Sequence, residues 1–262
     1  MTLQRGRHDW GAAVSVSTSV TFEHLAIVSY AVPPERVRPL VPSELALDTI
    51  AGADGRPLAL VSAVAFHVRS ASGLAGFSLL LETAQVNLRT YVRTKQRAVY
   101  FIRVEIGTRP LGMLAEIALR GASPAPILLA PDYDEASGHY RAYEIRCLSP
   151  AGEVSLEISG EGTAGNPPLG FDSWQSAGRF ITDRPVGFAS STLGGYVRLD
   201  VGHAPLAASP GRLVEGRLRS LERLSILTRE EGTQPHSVLL TRRAVFEVRP
   251  PRPILAPSGL RD

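Results

Sequence analysis

The side chains best suited to chemistry lie on or near one stretch, residues 84–106, whose sequence is AQVNLRTYVRTKQRAVYFIRVEI. Arg89 and Arg103 could bind a carboxylate or an enolate, because a guanidinium group presents two parallel donors to two oxygens. Glu105 could accept a proton, but His67, on a preceding strand, is better suited because histidine exchanges protons near neutral pH. These four residues predict proton-transfer chemistry on a small molecule that carries an oxo or carboxylate group.

Several other polar or aromatic residues are candidates for binding the same molecule. Gln85, Asn87 and Tyr91 share a strand face with Arg89 in the period-2 pattern of a β-strand. His203 shares a face with three apolar residues of a later strand, so its side chain is expected to point inward. The predicted substrate-binding residues are Gln85, Asn87, Tyr91, Tyr100, Arg109 and His203.

Each candidate also has a structural interpretation that the sequence leaves open. Arg103 and Glu105 lie two residues apart on one strand face, where they could form an ion pair with no role in chemistry. His67 and His203 could be hydrogen-bonded structural histidines. The whole stretch could also be an ordinary amphipathic hairpin whose arginine and glutamine side chains face water.

The sequence contains none of the common templates for metal, phosphate or nucleophilic chemistry. Its six histidines are widely spaced, and none lies two or four residues from another. There is no glycine-rich phosphate loop and no GxSxG motif. A single cysteine, Cys147, cannot form an intramolecular disulfide. We therefore predict no metal site and no cofactor.

A β-hairpin is the element predicted to position these groups. In its first strand the β-forming residues alternate with the polar ones, so that the two faces differ in chemistry. With a four-residue turn at 94–97, the opposed pairs would be Tyr91–Tyr100, Arg89–Ile102 and Asn87–Val104. Polar and apolar groups would then share one face, which favours a ligand-lined interior over a plain core or a solvated surface.

The rest of the chain is predicted to complete a mainly antiparallel sheet closed on itself. Further strands are expected at 19–32, 45–50, 58–70, 196–206, 212–217 and 237–250, with a second hairpin at 139–161 that turns at 149–152. Short helices are expected at 34–40, 111–120, 172–183 and 218–228, the third capped by Asp172 with Gln175 three residues on. The predicted fold class is mainly β, a β-rich α+β protein with a barrel-like antiparallel sheet.

Composition and charge narrow the class of protein. The chain has 262 residues, of which 44% are hydrophobic and 20% charged, as is ordinary for a globular protein. All but one of its 28 basic residues are arginine, and they are dispersed among 25 acidic ones, so no nucleic-acid partner is predicted. No apolar run is long enough for a membrane span or a signal peptide, which favours a cytoplasmic protein without a membrane partner. We expect one domain over 1–262 with peripheral tails at 1–18 and 255–262, and a homo-oligomer is compatible with the sequence.

Four segments of the chain carry a family resemblance. They are VPPERVRPLVPSELALDTI, the hairpin NLRTYVRTKQRAVYFIRVE, HAPLA at 203–207 and SVLLTRRAVFEVRPPRP. In this order they resemble the DUF2071 family of the acetoacetate decarboxylase-like superfamily, over most of residues 20–254. The resemblance implies a barrel-like sheet around a central ligand cavity, but a shared fold does not fix the chemistry.

The chain departs from the family pattern where the chemistry would be expected. Gln85 stands in place of a glutamate two residues before the hairpin asparagine, and Glu82 could replace that glutamate only if the backbone bulges. Arg109 lies near the place of the Schiff-base lysine of acetoacetate decarboxylases, and an arginine stays protonated and cannot act as that nucleophile. Lys95, the only lysine, is expected to lie exposed in the hairpin turn. These departures argue against decarboxylation through an imine.

The sequence supports two main hypotheses about function. The first is a cofactor-independent enzyme of small-molecule metabolism, including secondary metabolism, that performs a lyase, dehydratase, isomerase or cyclase step on an apolar metabolite with an oxo or carboxylate group. The second is a non-catalytic protein that holds a small or lipid-like ligand in the same cavity. A third, an interaction module whose barrel is filled by its own side chains, requires a cavity too small for any ligand.

Overall fold

Two β-sheets that share a hydrophobic core form the fold in the computed structural model, which describes residues 17–74, 77–79, 82–107, 109–160 and 165–254. Within those residues the larger sheet contains β1 (Thr18–Val32), β2 (Ala46–Leu47), β3 (Thr49–Ala51), β4 (Pro57–Leu74), β5 (Phe77–Leu79), β6 (Thr83–Arg93), β7 (Arg97–Ile106), β8 (Ala122–Pro124), β12 (Val186–Ser190), β13 (Tyr196–His203), β14 (Ser209–Pro210), β16 (Ser237–Val248) and β17 (Arg252–Ile254). The smaller sheet contains β9 (Ile127–Asp134), β10 (His139–Ser149), β11 (Gly152–Ser159) and β15 (Arg212–Leu218). The helices are α1 (Pro34–Val37), α2 (Arg109–Ala118), α3 (Trp174–Thr182) and α4 (Arg219–Arg223), with 3-10 turns at Arg38–Leu40 and Glu231–Thr233. None of the helices in the described part of the chain is long and apolar enough to cross a bilayer.

The larger sheet curls until its two ends meet. Its strands follow the order β14-β16-β1-β4-β6-β7-β12-β13-β17, and β13 also pairs with β16. This second pairing, from Val201 opposite Val248 to His203 opposite Phe246, completes a ring formed by β16, β1, β4, β6, β7, β12 and β13. Neighbouring strands of the ring are antiparallel except β7 and β12, which are parallel. The predicted mainly antiparallel, barrel-like sheet is confirmed.

Alternating side chains give the ring two faces with different neighbours. The outer face packs against the smaller sheet in a core that includes Val28, Leu88 and Tyr143. The inner face carries a second apolar cluster, to which Val64 of β4 and Phe180 of α3 belong. Because both faces of β1 are covered, its residues 25–30 are all buried, as in a strand at the centre of a protein.

The register of the β6–β7 hairpin differs from the predicted one near its turn. The turn has three residues rather than four, so Arg93 pairs with Arg97 and Tyr91 with Val99. The predicted pairs Tyr91–Tyr100 and Arg89–Ile102 are therefore wrong. A bulge then leaves Ile102 without an opposed residue and restores the predicted pair Asn87–Val104.

The N-cap of helix α3 is Ser173, one residue later than the predicted Asp172, and it acts together with Ser176. Ser173 Oγ accepts a hydrogen bond from the backbone N–H of Ser176 (3.1 Å), and Ser176 Oγ accepts one from the backbone N–H of Ser173 (3.2 Å). This reciprocal capping box replaces the predicted one that began at Asp172. Helix α3, which packs against the inner face of the ring, begins at this cap.

Other predicted elements differ mainly in extent. The helix expected over 218–228 is limited to α4, and the strand expected at 45–50 is divided into β2 and β3. The second hairpin turns where predicted, with Ser149 opposite Gly152, but it belongs to the smaller sheet. Residues 1–16 and 255–262, most of the predicted tails, lie outside the described residues.

Candidate functional site

The interior of the ring contains a cavity of about 260 Å³. Most of its wall is apolar, and at one side Phe22 stacks on Phe66 with 4.2 Å between ring centroids and contacts Phe246 at 4.5 Å. The polar residues that line it are Gln85, Asn87, Arg89, Thr182, Arg184 and His203. A mainly apolar wall with a few convergent polar groups is typical of a small-molecule site.

Strand β6 supplies three of these polar groups by alternation. Gln85, Asn87 and Arg89 face the cavity, whereas Val86 and Leu88 between them face the outer core. Gln85 Nε2 donates a hydrogen bond to Asn87 Oδ1 (3.0 Å), so the two amides form a continuous polar strip. The structure thus places these three sequence-predicted residues on one wall of the cavity.

Arg89 lines the cavity from strand β6. Its Nη2 donates to the carbonyl oxygen of Ile181 in α3 (3.2 Å), and its guanidinium carbon lies 5.7 Å from the centroid of the Tyr91 ring. Its Nε is buried and has no hydrogen-bond partner in the described part of the chain. Since a buried N–H without an acceptor is costly, the hydrogen bonds of the Arg89 guanidinium are incomplete among the described residues.

A second guanidinium group, from Arg184, lines the same cavity. Its side chain is 2% exposed and forms an ion pair with Asp48 (2.6 Å). Its Nε donates to the carbonyl oxygen of Phe180 (2.6 Å), and the group lies against the rings of both Phe180 and Tyr91, 4.3 and 4.9 Å from their centroids. Its Nη2 is buried and, among the described residues, has no partner. Two arginines therefore line one small cavity, and each has a buried N–H group without a partner among the described residues.

Asp48 holds Arg184 in this position. The carboxylate is 1% exposed, and its second oxygen accepts a hydrogen bond from Arg93 Nη2 (2.6 Å) on the outer end of β6. Burial lowers the pKa of the Arg184 guanidinium and the contact with Asp48 opposes that shift. The group stays protonated because the ordinary pKa of arginine is far above neutral. With one carboxylate shared by two arginines and a third arginine at Arg89, this end of the cavity has an excess of positive charge.

Sequence analysis did not identify Arg184 or Asp48. Arg184 follows the end of α3 and Asp48 precedes β3, and the two are 136 residues apart. No local spacing relates them. Only the placement of α3 against the inner face of the ring brings them together.

His203 lies at the edge of the cavity, where β13 ends. Its Nδ1 is 2.7 Å from the carbonyl oxygen of Ala204, and its Nε2 is 3.1 Å from that of Thr182. Its ring centroid lies 4.7 Å from that of Phe246. A carbonyl oxygen only accepts, so a neutral imidazole with a single N–H can donate to only one of these two oxygens. His203 is the cavity-lining side chain best suited to exchange a proton.

His67 lies on the outside of the ring rather than beside Arg89. It lines a shallow depression with Arg69 and Glu82, and Arg69 forms ion pairs there with Glu23 (2.9 Å) and Glu82 (3.3 Å). The structure therefore does not bring His67 to the cavity, because residue 67 of β4 has the opposite facing to Val64 and Phe66. Glu82 is likewise engaged outside the cavity.

Arg103 and Glu105 also lie away from the cavity, because they pair with Leu88 and Val86, whose side chains face the outer core. Glu105 is 2% exposed and accepts hydrogen bonds from Ser123 Oγ (2.5 Å) and Ser149 Oγ (2.6 Å). These contacts join β7, β8 and β10. No ion pair between Arg103 and Glu105 is found within the described residues.

The two predicted tyrosines lie behind the cavity wall. Tyr91 is 1% exposed; its ring supports the Arg184 guanidinium and its hydroxyl hydrogen-bonds with Ser62 Oγ (2.7 Å). Tyr100 faces the outer core and pairs with Ser190 Oγ (2.8 Å). Arg109 begins α2, and its side chain lies outside the described residues.

A metal centre or a reactive thiol has no support in the described part of the chain. No three His, Cys, Asp or Glu side chains there are grouped closely enough to hold a metal ion. Burial raises the pKa of the Cys147 thiol to about 12, so the thiolate is scarce at neutral pH.

The chain is similar to a known sequence family and to several solved structures. The sequence model of the DUF2071 family, described as an uncharacterized conserved protein, matches residues 19–244. A search of curated proteins gave no match. Similar solved structures include MppR, an enduracididine biosynthesis enzyme complexed with pyruvate (TM-score 0.55, 13% identity, 94% of this chain and 93% of that one).

Two further structures show the same fold. One is an acetoacetate decarboxylase-like enzyme from Sphingomonas wittichii RW1 (TM-score 0.55, 12% identity, 97% of this chain and 100% of that one). The other is the acetoacetate decarboxylase of Legionella pneumophila (TM-score 0.57, 12% identity, 98% of this chain and 92% of that one). At these identities the likeness establishes the acetoacetate decarboxylase-like fold and says nothing about substrate.

Proposed function

The chain belongs to the DUF2071 family, and on that premise we propose that it is a cofactor-independent enzyme of small-molecule metabolism. Its substrate is an apolar metabolite with an oxo or carboxylate group, bound inside the ring. The reaction is a proton-transfer step of the lyase, dehydratase, isomerase or cyclase type. The observation that carries the proposal is the pair of guanidinium groups, from Arg89 and Arg184, that line a mainly apolar cavity and each keep one buried N–H without a partner among the described residues.

In this proposal the two guanidinium groups bind the anionic end of the substrate. The Arg89 and Arg184 guanidinium groups donate to its oxygens, and the same positive charge stabilises an enolate when a proton leaves the adjacent carbon. The amides of Gln85 and Asn87 orient the oxo group. Because this charge is fixed before the substrate binds, it stabilises the transition state without rearrangement of the site.

His203 takes the proton-transfer role that sequence analysis gave to His67 and Glu105. Its Nε2 would leave the Thr182 carbonyl oxygen and contact the reacting carbon of the substrate instead. A lysine imine has no part in the scheme, since Lys95 is exposed in the β6–β7 turn and does not line the cavity. The proposal therefore excludes a Schiff-base decarboxylation.

Exchange of carbon-bound protons for deuterium tests the proposal. A panel of 2-oxo and 3-oxo acids is incubated with the protein in D2O, and loss of the signal of protons next to the oxo group is followed by NMR. We expect catalysed exchange for at least one acid, with His203→Gln slowing it about 100-fold or more. His67→Gln, outside the cavity, is the matched control and should retain the rate. Equal rates for His203→Gln and the wild type would contradict the assigned role.

One observation favours the alternative of a non-catalytic binder. Among the described lining residues, His203 is the only histidine, and no carboxylate or lysine accompanies it. A product formed in excess over the protein concentration would exclude this alternative. Tight binding of an oxo acid without any proton exchange would favour it.

A further inference from the structure

A second concavity, of about 580 Å³, lies beside the cavity. One of its walls is a face of α3, and the other is the chain segment that follows β13. Thr182, His203 and Leu206 line both the cavity and this cleft, so these three residues form the partition between them. The two spaces are therefore adjacent parts of one recess.

Gly178, in the middle of α3, lines the cleft. A Cβ atom added at this position would meet no other atom within 4 Å, and the glycine has no positive φ. Neither packing nor backbone conformation requires a glycine here, although glycine is among the least favourable residues in a helix interior. A large side chain at this position would extend into open space at the cleft wall.

The partition is held by contacts that can be exchanged. The His203 ring links the carbonyl oxygens of Thr182 and Ala204, and in its neutral form it donates to only one of them. Leu206 is only half-buried. Movement of these two side chains would join the cavity to the cleft without unfolding either wall.

The inner cavity alone has room only for a small ligand. Its 260 Å³ lies below the range of roughly 300–1,000 Å³ in which small-molecule sites fall, whereas the cleft adds ample space. Beyond the partition the cleft is apolar along Leu206, Ala208 and Leu239, and its rim carries the exposed polar side chains of Gln175, Arg179 and Asp183. A ligand that used both parts would be polar at its inner end, apolar in the middle and free to be polar at its outer end.

We infer that the ligand is an elongated carboxylate: its anionic head lies against Arg89 and Arg184, and its apolar chain passes His203 and Leu206 into the cleft beside Gly178. The inference rests on the proposed function, because it uses the same anion-binding arginines. It restricts the substrate class to carboxylates with a chain longer than the inner cavity can hold.

Binding of straight-chain acids by two variants at one position tests the inference. Gly178→Phe fills the cleft, and Gly178→Ala is the matched control, which changes the same residue without occupying the space. Calorimetry with butyrate and dodecanoate gives the Kd of each acid for the wild type and both variants, and thermal unfolding checks that each variant is folded. Each methylene buried should tighten binding roughly fourfold.

The expected result is that dodecanoate binds the wild type at least 100-fold more tightly than butyrate does. Gly178→Phe should weaken dodecanoate at least tenfold and leave butyrate within twofold, while Gly178→Ala should change neither. Equal affinities of the wild type for both acids, or equal losses for both acids in Gly178→Phe, would overturn the inference alone. If neither acid binds, or if Arg89→Met leaves butyrate binding unchanged, the proposed function fails together with it.

Discussion

The buried carboxylate of Asp48 connects the positive end of the cavity to the protein surface. It pairs with Arg184, which is 2% exposed, and with Arg93, which is 60% exposed. A charge that is removed from water needs its partner far more than one that solvent surrounds. The two ion pairs of one carboxylate are therefore expected to differ in their effect on stability.

Replacing Asp48 should unfold the protein more readily than replacing its exposed partner. We expect Asp48→Asn to lower the free energy of unfolding by about 3–5 kcal/mol, because it leaves Arg184 buried without a counter-charge. Arg93→Met should cost about 0–1 kcal/mol, since that arginine is solvated. Urea unfolding followed by circular dichroism measures both. Equal losses for the two variants would contradict the account of Arg184.

Two histidines make stability dependent on pH. Burial lowers the pKa of His24 and of His236 in the folded protein. The unfolded chain then binds protons that the folded chain does not, so folding is favoured above the ordinary histidine pKa of about 6.5 and weakened below it. Carboxylates such as Glu231, whose pKa is lowered by its hydrogen bond from Arg36, reduce the free energy of unfolding only nearer pH 4.

The free energy of unfolding should therefore fall between pH 7.5 and pH 5. His24→Asn should reduce this fall, because it removes one of the two groups. Asparagine tolerates the left-handed backbone that His24 adopts, with φ of 51°, whereas alanine would add strain. Urea unfolding at the two pH values gives the comparison. A protein that is equally stable at both, or a His24→Asn variant with the same dependence as the wild type, would contradict this explanation.

At the scale of the elements, the hairpin shows what a local pattern can and cannot predict. The alternation in β6 correctly separates Gln85, Asn87 and Arg89 from the apolar residues between them. The bulge at Ile102 has no comparable signal, because a single extra residue leaves the β-forming composition of β7 unchanged. Together with the three-residue turn, it places Tyr100 opposite Thr90 on the outer face, so Tyr100 does not line the cavity as predicted.

The cap of α3 can be tested in the same way. We expect Ser173→Ala to lower the free energy of unfolding by about 1 kcal/mol, since it removes the acceptor for the Ser176 N–H. Asp172→Ala should change it by less than about 0.5 kcal/mol, because Asp172 is exposed and does not cap the helix. Urea unfolding measures the free-energy change of each variant. A larger loss for Asp172→Ala than for Ser173→Ala would indicate that Asp172 caps the helix, as the sequence predicted.

At the scale of the whole molecule, the site depends on the closing of the ring. Phe22, Arg89 and His203 come from β1, β6 and β13, and they meet because β13 pairs with β16. The barrel-like fold could be predicted, since four segments resemble one family in the right order. The pairing of Asp48 with Arg184 could not be predicted, because it depends on where α3 packs and no local sequence pattern indicates it. The predicted fold is accordingly closer to the structure than the predicted chemistry.

The central claim is that the cavity of the ring binds an anionic group through Arg89. Calorimetric titration of octanoate into the wild type, Arg89→Met and Arg103→Met tests it most directly, because the two variants make the same change on opposite faces of one hairpin. We expect Arg89→Met to weaken binding about tenfold or more, as the loss of a charge-assisted hydrogen bond predicts, and Arg103→Met to bind within twofold of the wild type. Equal binding by Arg89→Met and the wild type, or an equal loss in Arg103→Met, would contradict the account.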